Sequence, residues 1–362
     1  MKEFNYHMLC LARNARGFTQ AEFSKQANIG QGTQSKYETG LASPPEEYVD
    51  EASRILKYHK SFFYHPGRPY GFPPFHFRKR KKLSAKVLDK VVAQMNVRRM
   101  HIGKLLVAIE NRPHQFIPEI DRDEYRGVSR GPASIEEIAT HVRELWGVPS
   151  GPIDNMVDLL ESRGAVVIPC DFGTDLLDAM SQRIDGMPVL FFVNMYAPAD
   201  RVRHTLAHEL GHMVLHTLAL SDDDAMEDEA DSFAGAFLLP AKEIKPQLRR
   251  FDLRQLANLK AYWKVSMAAL AVRADRLNLI TPHQKKMFWI EMGRLGYRKR
   301  EPKEPPHEPP KSIPKMIRFH LEHLQYSPAD LSAMLDIYID EFNELYLSSS
   351  EERKKPKLMI VK

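Results

Sequence analysis

Cysteine is almost missing from this sequence: among 362 residues there are two, Cys10 and Cys170, far apart in the chain. A pair so placed makes neither a disulfide framework nor a four-cysteine zinc site, so a reducing cytoplasm is the expected setting. Long hydrophobic runs are missing too. No stretch approaches the roughly 20 apolar residues of a membrane span, and no membrane partner is expected. The opening MKEFNYHMLCLARNARG lacks the apolar core and small-residue cleavage site of a secretory signal. Nor is there a large excess of either charge, the formal net being +5. Position is more informative than total. Basic residues crowd the first third and peak at Arg78-Lys79-Arg80-Lys81-Lys82, while Asp222-Asp223-Asp224 through Asp231 form an acidic patch. A basic first third suits contact with a polyanion, although a solvated charged face gives the same pattern.

What is present describes an ordinary globular chain, 43% hydrophobic and 27% charged, and too long for one compact domain. From about residue 5 to 60, Leu9, Leu11, Phe23, Ala27, Ile29, Tyr37, Val49, Ala52 and Ile55 recur at helical spacing, broken by Gly17, Gly30 and Gly40. YHPGRPYGFPPF (64–75) is too rich in Pro and Gly for a regular helix and reads as a linker. Helical patterns return over 84–111. Ser134 with Glu137 predicts a capping box opening a helix through Trp146, and another helix runs from Ile153 to Arg163. AVVIPCDF (165–172) and PVLFFVN (188–194) read as strands, with MSQRIDG between them as a middle strand. A long helix follows Asp200, and another spans Asp224 to Leu238 until Pro240 stops it. Further helices follow 250. EPKEPPHEPPKSIPK (301–315) reads as an extended linker, before a last helical stretch and a charged tail.

The long helix carries His208-Glu209-Leu210-Gly211-His212. Residues four apart on a helix share a face, so His208 and His212 can present two imidazoles to one ion. Glu209 lies beside that ion without ligating it, placed to take a proton from an activated water and pass it to a leaving amine. Zn2+ suits the arrangement; Mn2+ and Fe2+ accept the same donors. The flanks Thr205-Leu206-Ala207 and Met213-Val214-Leu215 suit a buried helix, and Gly211 allows another backbone to come close. A third ligand is needed. His216 shares the face but is carried away by a straight helix, and Leu218 stands where another class of zinc enzyme has its histidine. Glu227 on the acidic helix is favoured, with Asp231, four residues on, orienting a ligating imidazole; Glu229 is the alternative. For stabilising an oxyanion, His204, His216, Tyr196 and Arg203 are the candidates.

The run RVRHTLAHELGHMVLH followed by EDEADSFAGAFLLP resembles the ImmA/IrrE metallopeptidases. The family's Glu-x-x-Ala-Asn/Asp-x-Phe-Ala stretch and its Leu-Leu-x-Pro ending, or a close variant, correspond to Glu227, Ala230, Asp231, Phe233, Ala234, Leu238, Leu239 and Pro240. The resemblance implies His208 and His212 as ligands, Glu209 as catalytic base and Glu227 as third ligand. It departs from the family at His204, where a phenylalanine is usual.

At the other end, Thr19 can cap a helix over Gln20–Ala27, Asn28-Ile29-Gly30 makes a turn, and a second helix starts at Gln31. Gln31, Thr33, Gln34 and Lys36 are expected to meet base edges, with Gln20 and Arg13 on phosphates. Thr19-Gln20 and Ser35-Lys36-Tyr37-Glu38-Thr39-Gly40 resemble the signatures of lambda-repressor-like (XRE) domains, in which Glu38 would be structural. A small bundle that contacts protein instead of DNA is the alternative.

The expected fold is mainly α, with a small three-stranded β-sheet in the protease domain and an N-terminal helix-turn-helix bundle. The expected divisions are 1–65 helix-turn-helix; 66–130 linker and connecting helices; and 131–250 zincin-like metallopeptidase core. A helical extension over 251–300, with a second helix-turn-helix-like unit as one reading of it, leads to the Pro-rich linker 301–315 and the C-terminal tail 316–362. Together the resemblances imply a zinc endopeptidase coupled to a DNA-binding domain, cleaving a transcriptional repressor. The alternative is a DNA-binding regulator, or an antitoxin-like protein, with a vestigial metal site.

Overall fold

A computed structural model describes residues 3–69, 84–109, 116–121, 134–174, 176–216 and 224–348. The basic run 78–82 and the residues Asp222 and Asp223 lie outside these residues, as does the second half of the expected linker 64–75. Helices dominate the described residues, with one three-stranded sheet. No helix among them is long and apolar enough to cross a membrane. The chain folds as two compact units, each with its own hydrophobic core.

The first unit begins with four short helices: α1 (Tyr6–Ala15), α2 (Gln20–Gln26), α3 (Gln31–Glu38) and α4 (Glu46–Leu56). Local chemistry sets their starts. The Asn5 side chain accepts from the His7 amide at 3.0 Å. Thr19 and Glu22 form a reciprocal capping box on α2. Between α2 and α3 the backbone passes through a left-handed residue, Asn28 at φ 53°, a conformation that asparagine tolerates better than most. Leu9, Phe23, Val49 and Leu56 fill the centre.

That core does not close by itself. The long helix Ala85–Val107 contributes Ala93, Val97, Met100 and Leu105, and the C-terminal helices Ser312–Glu322 and Pro328–Met334 add Ile317 and Leu331. Arg16 donates to both carboxylate oxygens of Glu341, at 2.9 and 2.6 Å. Tyr58 bridges to Ile337. The stretches expected as connecting helices and as a tail are therefore parts of the first unit's core. Their apolar faces meet residues more than 200 positions away, and no local periodicity records such a partner.

In the second unit β1 (Val166–Pro169), β2 (Ala179–Gln182) and β3 (Leu190–Val193) form a mixed sheet in the order β1-β3-β2. Strand β3 runs parallel to β1 and antiparallel to β2. The centre is thus β3, and the segment expected in the middle lies on an edge. The helix Ala199–Leu215 packs on β2 and β3; the helix Asp224–Leu238 lies along it and also meets Ile135–Leu145. Leu206, Leu210, Phe233 and Phe237 join these layers, with the last two rings stacked 5.5 Å apart.

Residues after 250 extend the same core. Leu256 and Trp263 of helix Leu253–Trp263, Leu270 of Met267–Arg276, and Phe288 of Pro282–Arg294 are all buried in it. They cap the unit and make no body of their own. The Pro-rich segment, expected as a linker over 301–315, is extended but pinned as far as Lys311, and its last four residues instead open the helix Ser312–Glu322. Glu301 accepts from the amides of Met267 and Ala268 at 2.7 and 3.1 Å, and Glu308 from those of Met156 and Val157 at 2.8 and 3.4 Å. Each carboxylate sits on the positive end of a helix dipole. Glu308 also pairs with buried Arg203, and Glu301 with buried Lys260. Proline content accounts for the extended part, and Pro314 is tolerated in the first turn of the helix that follows; composition does not show that two of the segment's acids complete other helices.

Candidate metal centre

His204, His208, His212 and His216 recur every four residues along the helix Ala199–Leu215 and its C-terminal cap, and so share one face. His208 and His212 are buried, and their Nε2 atoms stand 3.0 Å apart. Glu227, from the acidic helix Asp224–Leu238, brings Oε2 to 3.6 Å from His208 Nε2 and Oε1 to 3.6 Å from His212 Nε2. Two donors on one tetrahedral zinc, each about 2.1 Å from it, are separated by roughly 3.4 Å. These three side chains, whose donor atoms lie within 4.8 Å of one another, therefore match a zinc-sized ion in spacing and in donor chemistry.

Each imidazole is held from behind. Asp231 Oδ1 lies 2.7 Å from His208 Nδ1, so Nδ1 carries the hydrogen and Nε2 turns its lone pair to the centre. His212 is held through an intermediary. Its Nδ1 is 3.0 Å from His216 Nδ1, and His216 Nε2 is 3.1 Å from Glu229 Oε2. The carboxylate can only accept, so His216 donates from Nε2 and accepts at Nδ1. His212 must then donate from Nδ1, which frees its Nε2 for the ion. Burial lowers the pKa of His216, with Glu229 working against it, which favours the neutral ring this chain of bonds requires. Glu229, the alternative third ligand, thus faces His216. Replacing His216 with Phe, or Glu229 with Gln, is expected to weaken zinc binding roughly 10- to 100-fold in chelator competition. Unchanged affinity in both variants would remove the role given to the relay.

Glu209, the residue after His208 on the same helix, is fully buried. Ser181 on the edge strand β2, also fully buried, donates to Glu209 Oε2 at 2.7 Å. Nothing in the sequence marked Ser181; a serine in a short strand carries no motif, and the contact spans 28 positions. Gly211 shows why this helix carries a residue of poor helix propensity. A Cβ there would stand 3.2 Å from the Ala230 Cα and from Phe233 Cβ, on the helix that brings Glu227. Gly211→Ala is expected to push the two helices apart, costing about 1–3 kcal/mol of stability and weakening metal binding. Thermal melts with and without zinc would measure both.

The oxyanion candidates separate. Arg203 is buried against Glu308 and the Ile153 carbonyl, and His216 belongs to the relay. Tyr196 is half exposed, and His204 lines a cavity beside the centre.

In the first unit, Gln31, Thr33 and Lys36 are exposed on α3. Gln34, expected at a base edge, is fully buried; it accepts from the Tyr48 hydroxyl at 2.6 Å and donates to Glu38 at 2.6 Å. Gln34 and Glu38 are four apart and share the inward face of α3. Arg13, expected on phosphate, is buried against Glu38, and half-buried Gln20 donates to the same carboxylate at 2.9 Å. Exposed Gln31, Thr33 and Lys36 remain as the face open to a partner.

Two helical imidazoles, a carboxylate from the next helix and a buried glutamate next in sequence to the first imidazole are the parts of a metallohydrolase centre. Residues 160–275 match the M78 peptidase family model, described as the IrrE N-terminal-like domain, and residues 11–63 match a helix-turn-helix model. The chain therefore carries an IrrE-like peptidase domain and an N-terminal helix-turn-helix domain. The peptidase match runs past the expected boundary at 250 and takes in the helix Met267–Arg276, in keeping with their shared core. No match was found among curated proteins.

Proposed function

We propose that this protein is a zinc-dependent endopeptidase that makes a site-specific cut in a transcriptional repressor, with the helix-turn-helix domain binding DNA. The observation that carries the reading is the pairing of a ready donor set, His208, His212 and Glu227, with a buried glutamate, Glu209, fixed by Ser181. Zinc held by those donors would act as a Lewis acid, acidifying a water and polarising the peptide carbonyl. Glu209 is the base that receives the proton and returns it to the leaving amine. Ser181 keeps the carboxylate in one orientation, and Asp231 and His216 fix the imidazoles in the tautomer that faces the ion.

The repressor is inferred from the company the peptidase domain keeps. A domain that reads DNA brings the enzyme to proteins that sit on DNA, and Gln31, Thr33 and Lys36 offer base-reading chemistry on an exposed helix. The test is incubation of the zinc-loaded chain with helix-turn-helix repressors encoded beside its gene, followed by mass spectrometry. A single new terminus, absent with Glu209→Gln, is the expected result. Intact repressors together with a gel shift that survives His208→Ala would point instead to a DNA-binding regulator with a vestigial metal site.

A further inference from the structure

A cavity of about 440 Å³ opens against the N-terminal half of the metal helix. Its floor is apolar, formed in part by Leu238, Leu239, Val265 and Val272. His204 and Asp231 line its wall, and both neighbour the ligand His208: His204 lies one helical turn before it, and Asp231 holds its Nδ1 at 2.7 Å. The volume falls in the range of about 300–1,000 Å³ typical of ligand sites. It is ample for a leucine- to tryptophan-sized side chain. A peptide bond held at the centre places the next Cα within about 4 Å, so a large side chain beside that bond reaches one helical turn away.

The rim has a charge preference. The lining includes seven cationic side chains and four carboxylates. Several cancel within the fold: Lys260 pairs with Asp200 and Glu301, Arg201 with Asp178, and Arg276 with Asp228. Lys299 and Arg300 are exposed and make no ion pair among the described residues. A positive rim over an apolar floor is complementary to an apolar side chain with carboxylates near it.

We propose that this cavity is the specificity pocket of the peptidase centre, taking a large apolar side chain next to the scissile bond in a locally acidic segment of the substrate. The proposal rests on the peptidase reading given above, and its test reads binding in place of turnover. The probes are peptide hydroxamates on one backbone that differ only in the side chain beside the zinc-binding group, naphthylmethyl against hydrogen. They are titrated into the zinc-loaded full chain by displacement of a fluorescent hydroxamate. The naphthylmethyl probe is expected to bind roughly tenfold tighter or more. Val272→Trp and, separately, Ala269→Phe fill the cavity and should reduce that preference to about twofold. A further probe pair, with glutamate or glutamine as the neighbouring residue, should favour glutamate, and the double variant Lys299→Glu, Arg300→Glu should abolish that preference. Zinc content and melting temperature verify that each variant is folded. Equal affinity of the first two probes for the unmodified chain, or a preference that survives both filled variants, overturns the proposal. A retained side-chain preference without cleavage of any repressor would count against the peptidase reading alone.

Discussion

Replacing Glu209 with glutamine is expected to slow the proposed repressor cleavage by about 100- to 10,000-fold without loss of zinc, the range measured when a positioned general base is lost. The two properties separate because they depend on different atoms. In the proposed centre zinc affinity would depend on His208, His212 and Glu227, whose donor atoms cluster together. Glu209 takes its place from a separate contact, the 2.7 Å bond from Ser181. Glutamine is nearly the same size and can still accept from Ser181, so the buried site needs no repacking. What it cannot do is take up a proton. A variant that loses zinc together with activity would show that Glu209 supports the site as well as the reaction. A variant that cleaves at the original rate would end its assignment as base. Ser181→Ala should give a smaller loss, since it frees the carboxylate to turn without removing it.

In the first unit the largest expected effect comes from Glu38→Ala. The Glu38 carboxylate accepts from Arg13 Nε and Nη2 at 2.6 and 2.8 Å, from Gln20 at 2.9 Å and from Gln34 at 2.6 Å. Both charged partners are buried. Alanine leaves the Arg13 guanidinium without a counter-charge, at a cost of about 3–5 kcal/mol. Against a total stability of about 5–15 kcal/mol for a typical domain, that is a large share. All three tryptophans, Trp146, Trp263 and Trp289, lie in the other unit. A urea transition seen by circular dichroism but not by tryptophan emission therefore reports the helix-turn-helix unit. An unchanged midpoint in that transition would mean the ion pair contributes nothing net.

The same cluster predicts an acid response. Burial works to raise the pKa of Glu38, but the hydrogen bonds from Arg13 and Gln20, the Arg13 charge and the bond from Gln34 outweigh it and hold the carboxyl below its ordinary value. With the folded pKa depressed, the stabilisation is complete above the unfolded value of about 4.3 and is lost as pH falls through the folded one. The first unit should lose stability below about pH 4, and Glu38→Gln should flatten that dependence.

The metal helix illustrates what is legible locally. His208, Glu209 and His212 belong to one helix, and helical geometry alone decides which of them face together. The acidic helix was nearly as legible, because Glu227 and Asp231 share a face by the same rule; only Glu229 took another partner, since His216 stands within its reach. In the same way Thr19 with Glu22 and Ser134 with Glu137 set helix starts from within four residues. The contrary case is Gln34. Its chemistry suits a base edge, but the inward face of α3 was fixed by Glu38, Tyr48 and Arg13, which approach from three other segments.

The sequence by itself determined the two-histidine helix, the helix-turn-helix spacing and most element boundaries, because each depends on residues within one or two turns of chain. Tertiary structure alone decided that β2 lies at the sheet edge with Ser181 against Glu209, and that His216 and Glu229 support His212. It alone turned a Pro-rich strap into a cap for two helices, and closed the first unit with helices from the chain's far end. These features rest on contacts between groups with no fixed separation in sequence. What selects them is burial of apolar area and the need of every buried charge and donor for a partner, and both are settled only when the whole chain is folded.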